Sequence, residues 1–355
     1  MSTVGALEVA HASGLHAVNR ALNDMHHEML RIGGGREGAA VRLSVLNLVA
    51  ACVDVESADL ATRAVGGLGV KHPVRAIIVL ADPAAKSQME ADVSLQCSAV
   101  DAAQVCAEQV RMFIGGEAAY HLASVVTPLL VPDIPTNLWL VGSPPLQQAF
   151  GQDAVAICER LILDSGAYDD DAGALRLLAE ELEGVGDALA VADIAWERTH
   201  TWRQLIAQSF DGETMRRFLR GITLVEVECS GERVSAQAWL LAGWMASRLG
   251  WKAASNQPCV VATSRRVEDV AAPNLVRVTL ECSARGQGAL VTVERQGAAL
   301  CAVIDVAGGI HAERAVPVTD VDSAEMVGSL LESGAEDPVY RAALRGAANL
   351  AAAAR

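Results

Sequence analysis

Hydrophobic and polar positions follow two different periods along the chain, and these periods predict helices and strands. Between residues 11 and 32, apolar side chains recur every three or four positions, which indicates one amphipathic helix. These side chains are Leu15, Val18, Leu22, Met25, Met29 and Ile32. The run VRLSVLNLVAACV is instead almost continuously apolar, as expected of a strand covered on both faces. SADLATRAVGGLG predicts a helix after it, and VRAIIVLAD predicts a second buried strand, so a β-α-β unit with parallel strands is expected.

The next segments complete a first α/β domain. MEADVSLQCSA and AQVCAEQVRMFI have a β-like pattern and are separated by a short turn near residues 100–102, which predicts a hairpin. A helix is expected from about Gly116 to Leu130, followed by the strand TNLWLVG and by a strand over 155–164. The two strands of a hairpin are antiparallel, whereas the strands of the β-α-β unit are parallel. A sheet that contains both should therefore be mixed.

The second half begins with a change in composition at Tyr168, where the segment YDDDAGALRLLAEELEGVGD becomes strongly acidic. Helices at this junction lead into the strand ITLVEVEC, a long helix and an antiparallel meander of short strands, and helices form the tail. The predicted fold class is therefore α/β, with two α/β domains, mixed sheets, a helical junction and C-terminal helices. We expect an N-terminal helix and Gly-rich turn in 1–40, domains in 41–167 and 168–316, and tail helices in 317–355.

Composition narrows the classes of partner. The 355 residues carry 28 basic and 43 acidic side chains, a net charge of -15 that repels phosphate backbones and anionic membrane surfaces. Neither nucleic acid nor a membrane is an expected partner. No secretory signal and no uncharged run of about 20 residues is visible, so a cytoplasmic protein is expected. Eight scattered cysteines without a C-x-x-C pair fit a reducing compartment.

Two features suggest binding of a phosphate group. GGGREG satisfies the spacing G-x-G-x-x-G with Gly33, Gly35 and Gly38, but it follows a helix, whereas a dinucleotide loop follows a strand. Arg217 and its neighbours form a local basic spot on an acidic chain. A sugar-phosphate or nucleotide-binding enzyme therefore stays open as the alternative function, although no cofactor or metal is predicted.

The stretch HLASVVTPLLVPDIPTNLWLVG contains the residue types of a hydrolytic triad. His121 and Ser124 are three apart and could touch on a helix, but Ser124 lies inside an apolar helical pattern and not on the strained turn that an exposed nucleophile requires. The prolines of this stretch predict a rigid, mostly apolar connection before the next strand. Such a connection is either a recognition element or a plain link between a helix and a strand.

The predicted hairpin brings two cysteines opposite each other. If Val100 pairs with Ala103, then Cys97 faces Cys106 three residues further out. The pair is either redox-active or simply two buried thiols, and no nearby base in the sequence favours the reactive form.

Several strings, in this order, resemble the glucose-6-phosphate dehydrogenase assembly protein family (OpcA). They are HPVRAIIVLADP, HLASVVTPLLVPDIPTNLWLVGSPP, RLILDSG, DIAWERTHTWRQLIAQSFD and DPVYRAAL. The Pro-Asp-Ile-Pro core of the second string is the most specific part, and the resemblance runs from about Val41 to the end. Two positions depart from the family pattern, Val74 and Leu140.

The resemblance implies a non-enzymatic bacterial protein that binds glucose-6-phosphate dehydrogenase, supports its active oligomer and raises its activity as an allosteric activator in the oxidative pentose phosphate pathway. An activator needs no catalytic residue, because it acts by binding the active form of its partner more tightly. Six residues are candidates for a partner-binding surface or for the framework behind it. They are His72, Arg75, His121, Asp133, Pro135 and Trp139.

Overall fold

A computed structural model describes residues 7–33, 44–68, 73–100, 103–143, 157–186, 189–251, 259–265, 275–319, 321–333 and 336–354. The chain forms two compact units, and neither is one continuous segment. Unit 1 comprises Met1–Asp164, Val185–Ala192 and Asp322–Ala335, and unit 2 comprises Ser165–Gly184, Asp193–Val321 and Glu336–Arg355.

The described residues form strands and helices in the order expected of an α/β protein. The strands are β1 Leu7–Ser13, β2 Leu46–Cys52, β3 Val74–Asp82, β4 Gln88–Val100, β5 Ala103–Gly115, β6 Thr136–Val141, β7 Arg160–Leu163, β8 Ala190–Asp193, β9 Ile222–Ser230, β10 Cys259–Arg265, β11 Leu275–Ala284, β12 Gln287–Gln296, β13 Ala299–Val306 and β14 Ile310–Pro317. The helices are α1 Leu15–Gly33, α2 Val55–Leu68, α3 Leu122–Val126, α4 Asp171–Val185, α5 Ile194–Glu197, α6 His200–Gln208, α7 Glu213–Leu219, α8 Ala236–Leu249, α9 Ser323–Ser333 and α10 Tyr340–Ala353.

Unit 1 is built on an eight-stranded mixed sheet with the order β1-β4-β5-β3-β2-β6-β7-β8. The β2-α2-β3 unit is parallel, as predicted, and β2, β3 and β6 are buried almost throughout because the sheet is covered on both faces. The hairpin is confirmed as well: β4 and β5 are antiparallel, and Val100 is the register partner of Ala103. Helices α2 and α9 pack against each other, while α1 packs on β1 and β4.

One buried arginine holds helix α9 on unit 1. The Nη1 of Arg160, on β7, donates to the carbonyl oxygen of Leu330, and its Nη2 donates to the hydroxyl of Ser333 at 3.2 Å. Carbonyl groups in the last turn of a helix have no intrahelical donor, so a cation at this end is favourable. A side chain from the middle of the sequence therefore fixes a helix 170 residues further on.

Unit 2 contains a six-stranded mixed sheet with the order β10-β9-β11-β12-β13-β14. Strands β9 and β10 are parallel, and β11 to β14 form the predicted antiparallel meander with one additional strand. Alternate residues of β9 and β11 to β13 pack with α6, α7 and α8 in one hydrophobic core. Together the two units confirm the predicted fold class of two α/β domains with mixed sheets.

The prediction of a single helix from Gly116 to Leu130 is wrong. The segment forms a 3-10 helix at Gly116–Tyr120, the short α3, and a second 3-10 helix at Thr127–Leu129. His121, between the first two, has φ -120° and ψ 52°, which is not helical. Pro128 has no N–H and therefore cannot continue the α-helical hydrogen bonds beyond α3.

Among the helices of the described residues, none combines the length and apolarity required to cross a bilayer.

Candidate functional site

The segment 127–135, which we call the proline connector, is fixed to the start of the unit 1 sheet by side chains from two strands. The amide Nδ2 of Asn47 donates to the carbonyl of Val131 at 3.0 Å, and the Val131 N–H donates back to Asn47 Oδ1 at 3.0 Å. Arg75 Nη1 donates to the carbonyl of Leu129 at 2.7 Å. A further backbone bond joins Asn47 to Pro135 at 2.8 Å. The connector therefore has a defined position, although beyond the 3-10 helix at Thr127–Leu129 it belongs to neither a helix nor a strand.

Arg75 can serve as an anchor because a carboxylate balances its charge. Its Nε donates to Oε2 of Glu108, the register partner of Arg75 on β5. Arg75 is 3% exposed and Glu108 is 1% exposed, so the pair is isolated from solvent. A buried charge is tolerated only when it is paired and hydrogen-bonded. The ion pair fixes the guanidinium, and the guanidinium fixes the connector.

The tip of the proline connector faces solvent. Pro132, Asp133 and Pro135 are exposed, and Asp133 has φ 62°, a left-handed conformation that Asp and Asn adopt more readily than most residues. Val45, two residues before Asn47, is 49% exposed at the same end of the sheet. These four residues, which we call the proline surface, combine apolar groups with one carboxylate beside the backbone groups that Asn47 and Arg75 hold.

The structure divides the six predicted site residues into two groups. Arg75 and Trp139, the latter only 1% exposed, belong to the interior and form part of the framework. His121, Asp133 and Pro135 are exposed. His72 lies outside the described residues. Their role in binding a partner stays a prediction.

The exposed residues do not form one patch. His121 follows the 3-10 helix that packs against the ends of β3 and β5, whereas Asp133 and Pro135 precede the first residue of β6. Because these strands are parallel, the two groups lie at opposite ends of the sheet, and six residues of strand span roughly 17 Å. His121 and Ser124 therefore lack Asp133 as the third member of a triad.

Unit 2 holds a polar network that joins three of the strings noted in the sequence. Asp193 Oδ1 accepts the backbone N–H groups of Ser165 and Ala195 at 3.0 Å each, and its Oδ2 accepts the hydroxyl of Tyr340 at 3.0 Å. Burial and the neighbouring Asp193 carboxylate raise the pKa of Tyr340 well above its usual value, so the phenol stays a donor. This network holds the start of α10 beside α5.

A second part of the network surrounds Asp337. Its Oδ2 accepts the indole N–H of Trp196 at 2.9 Å and Nη1 of Arg203 at 3.0 Å. The guanidinium of Arg203 lies 3.6 Å from the centroid of the Trp196 ring, and its Nε donates to the hydroxyl of Thr199 at 3.0 Å. Stacking and charge-assisted hydrogen bonds thus act on the same groups. These groups bond one another, so the arrangement is structural.

Asp337 makes this network sensitive to acid. Burial raises the pKa of Asp337, but hydrogen bonds from Val339 N–H, Trp196 and Arg203 outweigh burial, and the net pKa lies below 3.8. A lowered pKa in the folded state contributes stability above the unfolded value, and this contribution is lost as pH falls through the folded value. We expect the stability difference between wild type and Asp337→Asn to be constant above about pH 5 and to shrink below pH 3.8.

The measurement for this prediction is urea unfolding of both proteins between about pH 2.5 and 7, a range that brackets the titration of carboxyl groups. Asp169→Asn, at an exposed carboxyl of the same unit, is the matched control and should change stability little at any pH. A difference between wild type and Asp337→Asn that does not depend on pH would contradict the assignment.

The features that suggested phosphate binding lie only partly within the described residues. Gly33 ends α1, while Gly35 and Gly38 of GGGREG lie outside the described residues. Arg216 Nη2 donates to the carbonyl of Asp211 at 3.2 Å, and Arg217 Nη2 donates to Gln287 Oε1 at 2.6 Å. The two arginines thus contribute to local structure.

Burial makes several thiols poor nucleophiles. Desolvation raises the pKa of Cys52, Cys158 and Cys282 to about 12 each. Since the thiolate is the reactive form, only about one molecule in 10⁴ is reactive at pH 8 at each of these sites. We expect iodoacetamide to label these three cysteines far more slowly in the folded protein than in urea, as read by peptide mass spectrometry. Equal labelling rates in both states would contradict this expectation.

Cys97 and Cys106 are register partners in the β4–β5 hairpin, as the turn position predicted. Their side chains lie outside the described part of the structure, so the redox pair stays a prediction. Its test is the loss of two hydrogens in the intact mass after oxidation, with both cysteines in one linked peptide.

Sequence reasoning missed the anchors of the connector, although a signal was present. Asn47 stands as a polar residue within the apolar run LNLVAAC, and Arg75 stands at the start of VRAIIVLAD. A buried amide or guanidinium inside such a run requires partners. The sequence does not reveal that these partners are the connector and Glu108, because both lie far away along the chain.

Comparison with known proteins places these features in one family. The profile described as the N-terminal domain of a glucose-6-phosphate dehydrogenase subunit matches residues 67–180, and the profile of its C-terminal domain matches residues 189–344. Similar proteins named OxPP cycle protein OpcA occur in Nostoc punctiforme (27% identity over 54% of this chain), Synechocystis sp. (27% over 56%) and Synechococcus elongatus (28% over 53%). The matched regions cover only 41%, 41% and 42% of these relatives.

The N-terminal profile contains the proline connector with its anchor Arg75, and the C-terminal profile contains the network from Asp193 to Tyr340. The proline connector and the polar network of unit 2 thus both fall within the matched regions. The chain belongs to the OpcA family of glucose-6-phosphate dehydrogenase assembly proteins.

Proposed function

We propose that this protein is a non-catalytic assembly factor and allosteric activator of glucose-6-phosphate dehydrogenase, acting in the cytoplasm at the entry of the oxidative pentose phosphate pathway. The observation that carries the proposal is the proline connector of a chain that belongs to this family. Its exposed tip is held by Asn47 and Arg75 in a fixed conformation. A surface that is ordered before binding loses little conformational entropy when a partner docks.

The proline surface is the proposed contact with the dehydrogenase. Val45, Pro132 and Pro135 offer apolar area, and Asp133 offers one charge that can pair with a basic side chain. Arg75 and Trp139 act behind this surface by keeping the sheet and the connector in place. His121 is at the other end of the sheet and is a separate candidate.

Activation follows if the surface binds the active oligomer of the dehydrogenase more tightly than its inactive form. A tenfold difference in affinity corresponds to about 1.4 kcal/mol and shifts the population of the dehydrogenase by the same factor. No group of this chain has to touch the substrate. The interior carboxylates Glu108 and Asp193 have structural bonding partners, which favours a binding role over acid–base chemistry.

The test is a binding titration of the dehydrogenase with wild type and with the double variant Asp133→Asn/Pro135→Ala. Asparagine tolerates the positive φ at position 133, so the variant removes charge and apolar area with little strain. We expect at least tenfold weaker binding and a parallel loss of activation.

The matched control is Asp82→Asn/Pro83→Ala, which changes an exposed Asp-Pro pair where β3 ends, at the opposite end of the sheet. It should bind the dehydrogenase like wild type. If both double variants bind like wild type, the proline surface is not the contact; if wild type does not bind the dehydrogenase, the proposed function is wrong.

A further inference from the structure

Unit 1 has an open groove at the edge of its sheet. The groove has a volume of about 810 Å³ and lies between strand β1 and helix α1. Its strand side is formed by residues 9–12, and its helix side is formed by Ala17, Arg20, Ala21, Asp24, Met25 and Glu28. These helical positions are spaced by three, four, seven and eight residues and therefore form one stripe along α1.

This stripe is distinct from the face of α1 that packs into unit 1. Val18 is fully buried and Leu22 is 3% exposed, so these residues hold the helix on the sheet. Ala17 and Ala21 line the groove beside them, and their small side chains allow another backbone or helix to approach closely. The helix thus has one face in the core and a second, small-residue face along the groove.

The strand side of the groove is a sheet edge. Strand β1 pairs with β4 on one side and is the terminal strand of the eight, so its other side carries main-chain groups that do not belong to this sheet. Val9 on this edge is 65% exposed. Natural proteins commonly protect such edges with Pro or Lys, and the strand LEVAHAS contains neither.

We propose that a second copy of this chain fills the groove, with β1 of the two copies pairing antiparallel about a two-fold axis. The pairing joins the two unit 1 sheets into one continuous sheet. The same axis places the two α1 helices side by side and antiparallel. An interface of this kind is isologous, because each copy contributes the same patch.

Charge on the α1 stripe is self-complementary under this symmetry. Arg20 and Asp24 are exposed and one helical turn apart. When the axis passes midway between Arg20 and Asp24, at the level of position 22, Arg20 of each copy lies opposite Asp24 of the other, so the interface contains two equivalent ion pairs. A parallel arrangement would place like charges opposite each other. The stripe therefore fits an antiparallel copy of itself.

The first test is the mass of the full chain in solution by sedimentation and light scattering. We expect a dimer of twice 37.1 kDa that dissociates on dilution. Val9→Lys places a charge at the edge and should weaken the dimer at least tenfold. Val55→Lys, at a side chain of unit 1 that is 59% exposed, is the matched control and should dimerise like wild type. Circular dichroism verifies that both variants are folded.

The second test uses the charges on α1. Arg20→Glu and Asp24→Arg should each weaken the homodimer at least tenfold, because each variant places like charges across the axis. A mixture of the two variants should form a heterodimer, since the introduced glutamate of one chain then faces the introduced arginine of the other. The unchanged Asp24 of the first chain likewise faces the unchanged Arg20 of the second. Native mass spectrometry with one chain isotope-labelled distinguishes the heterodimer from either homodimer.

Three outcomes would overturn the proposal. The wild type could stay monomeric at every concentration, the dimer could persist with Val9→Lys, or the mixed charge variants could fail to pair. A monomeric wild type whose binding to the dehydrogenase is weakened by Val9→Lys would show that the groove accepts a strand of that partner and not a second copy. None of these outcomes depends on the proline surface.

Discussion

Replacing Arg75 with leucine is expected to lower the free energy of unfolding of unit 1 by about 3–5 kcal/mol. The reason is the carboxylate left behind. Glu108 is 1% exposed, and without Arg75 its charge is buried without its balancing cation. The variant also removes the donor to the carbonyl of Leu129, so the proline connector loses one of its anchors. Hydrogen exchange of peptides from β3 and β5 during urea unfolding measures the loss in this unit.

The double variant Arg75→Leu/Glu108→Leu separates the two roles of Arg75. Replacing both members of a buried ion pair with apolar residues is often neutral, so most of the stability should return. The hydrogen bond to the carbonyl of Leu129 stays absent in the double variant, so the connector still lacks this anchor. We therefore expect the double variant to be stable and still impaired in binding the dehydrogenase. Equal stability of the single and double variants would contradict the role assigned to the pair.

Replacing Gly243 with alanine is expected to destabilise unit 2 by about 3 kcal/mol. Gly243 lies where α8 crosses α10, and a Cβ at this position would overlap the backbone nitrogen of Ala347 and the carbonyl oxygen of Ala343. Backbone atoms cannot rotate away as a side chain can, so the two helices must separate. The loss corresponds to a decrease in Tm of roughly 6–12 °C, which calorimetry detects directly.

Gly184→Ala is the matched control for this variant. Gly184 lies in α4 of the same unit, and a Cβ there meets no atom within 4 Å. Alanine has the higher helix propensity, so this change should be neutral or slightly stabilising. If Gly184→Ala and Gly243→Ala lower Tm equally, the close crossing of α8 and α10 is not the reason for the glycine at 243.

The parts of the fold that the sequence predicted are those specified by short-range pattern. The β2-α2-β3 unit follows from two apolar runs around an amphipathic helix, and the β4–β5 hairpin follows from the turn after Val100. In both cases the partner strand is the next element along the chain. Local periodicity is then sufficient to predict the pairing.

The edge strands β1 and β14 were not predicted, for a related reason. Strand β14 is exposed along most of its length, so its sequence IHAERAVP shows no alternation of buried and exposed positions. Strand β1 is short and precedes the strong helical pattern of α1, which extended the predicted helix backwards to residue 11. Both strands pair with a neighbour through main-chain hydrogen bonds, and such bonds require no particular side chains.

The candidate site was located by sequence but not explained by it. The prolines identified the connector, because each fixes its own φ and removes a backbone donor. Its anchors Asn47 and Arg75 could not be assigned, since they lie 84 and 54 residues from the groups that they hold. Long-range partners of buried polar groups require the fold.

The most direct test of the central claim is the activity of the glucose-6-phosphate dehydrogenase from the same source at limiting substrate, with and without this protein. Oligomer size should be followed in the same samples by light scattering. We expect wild type to raise the activity and to form a shared complex, and we expect Asp133→Asn/Pro135→Ala to do neither. An unchanged rate and an unchanged oligomer size with wild type, under both reducing and oxidising conditions, would contradict the account.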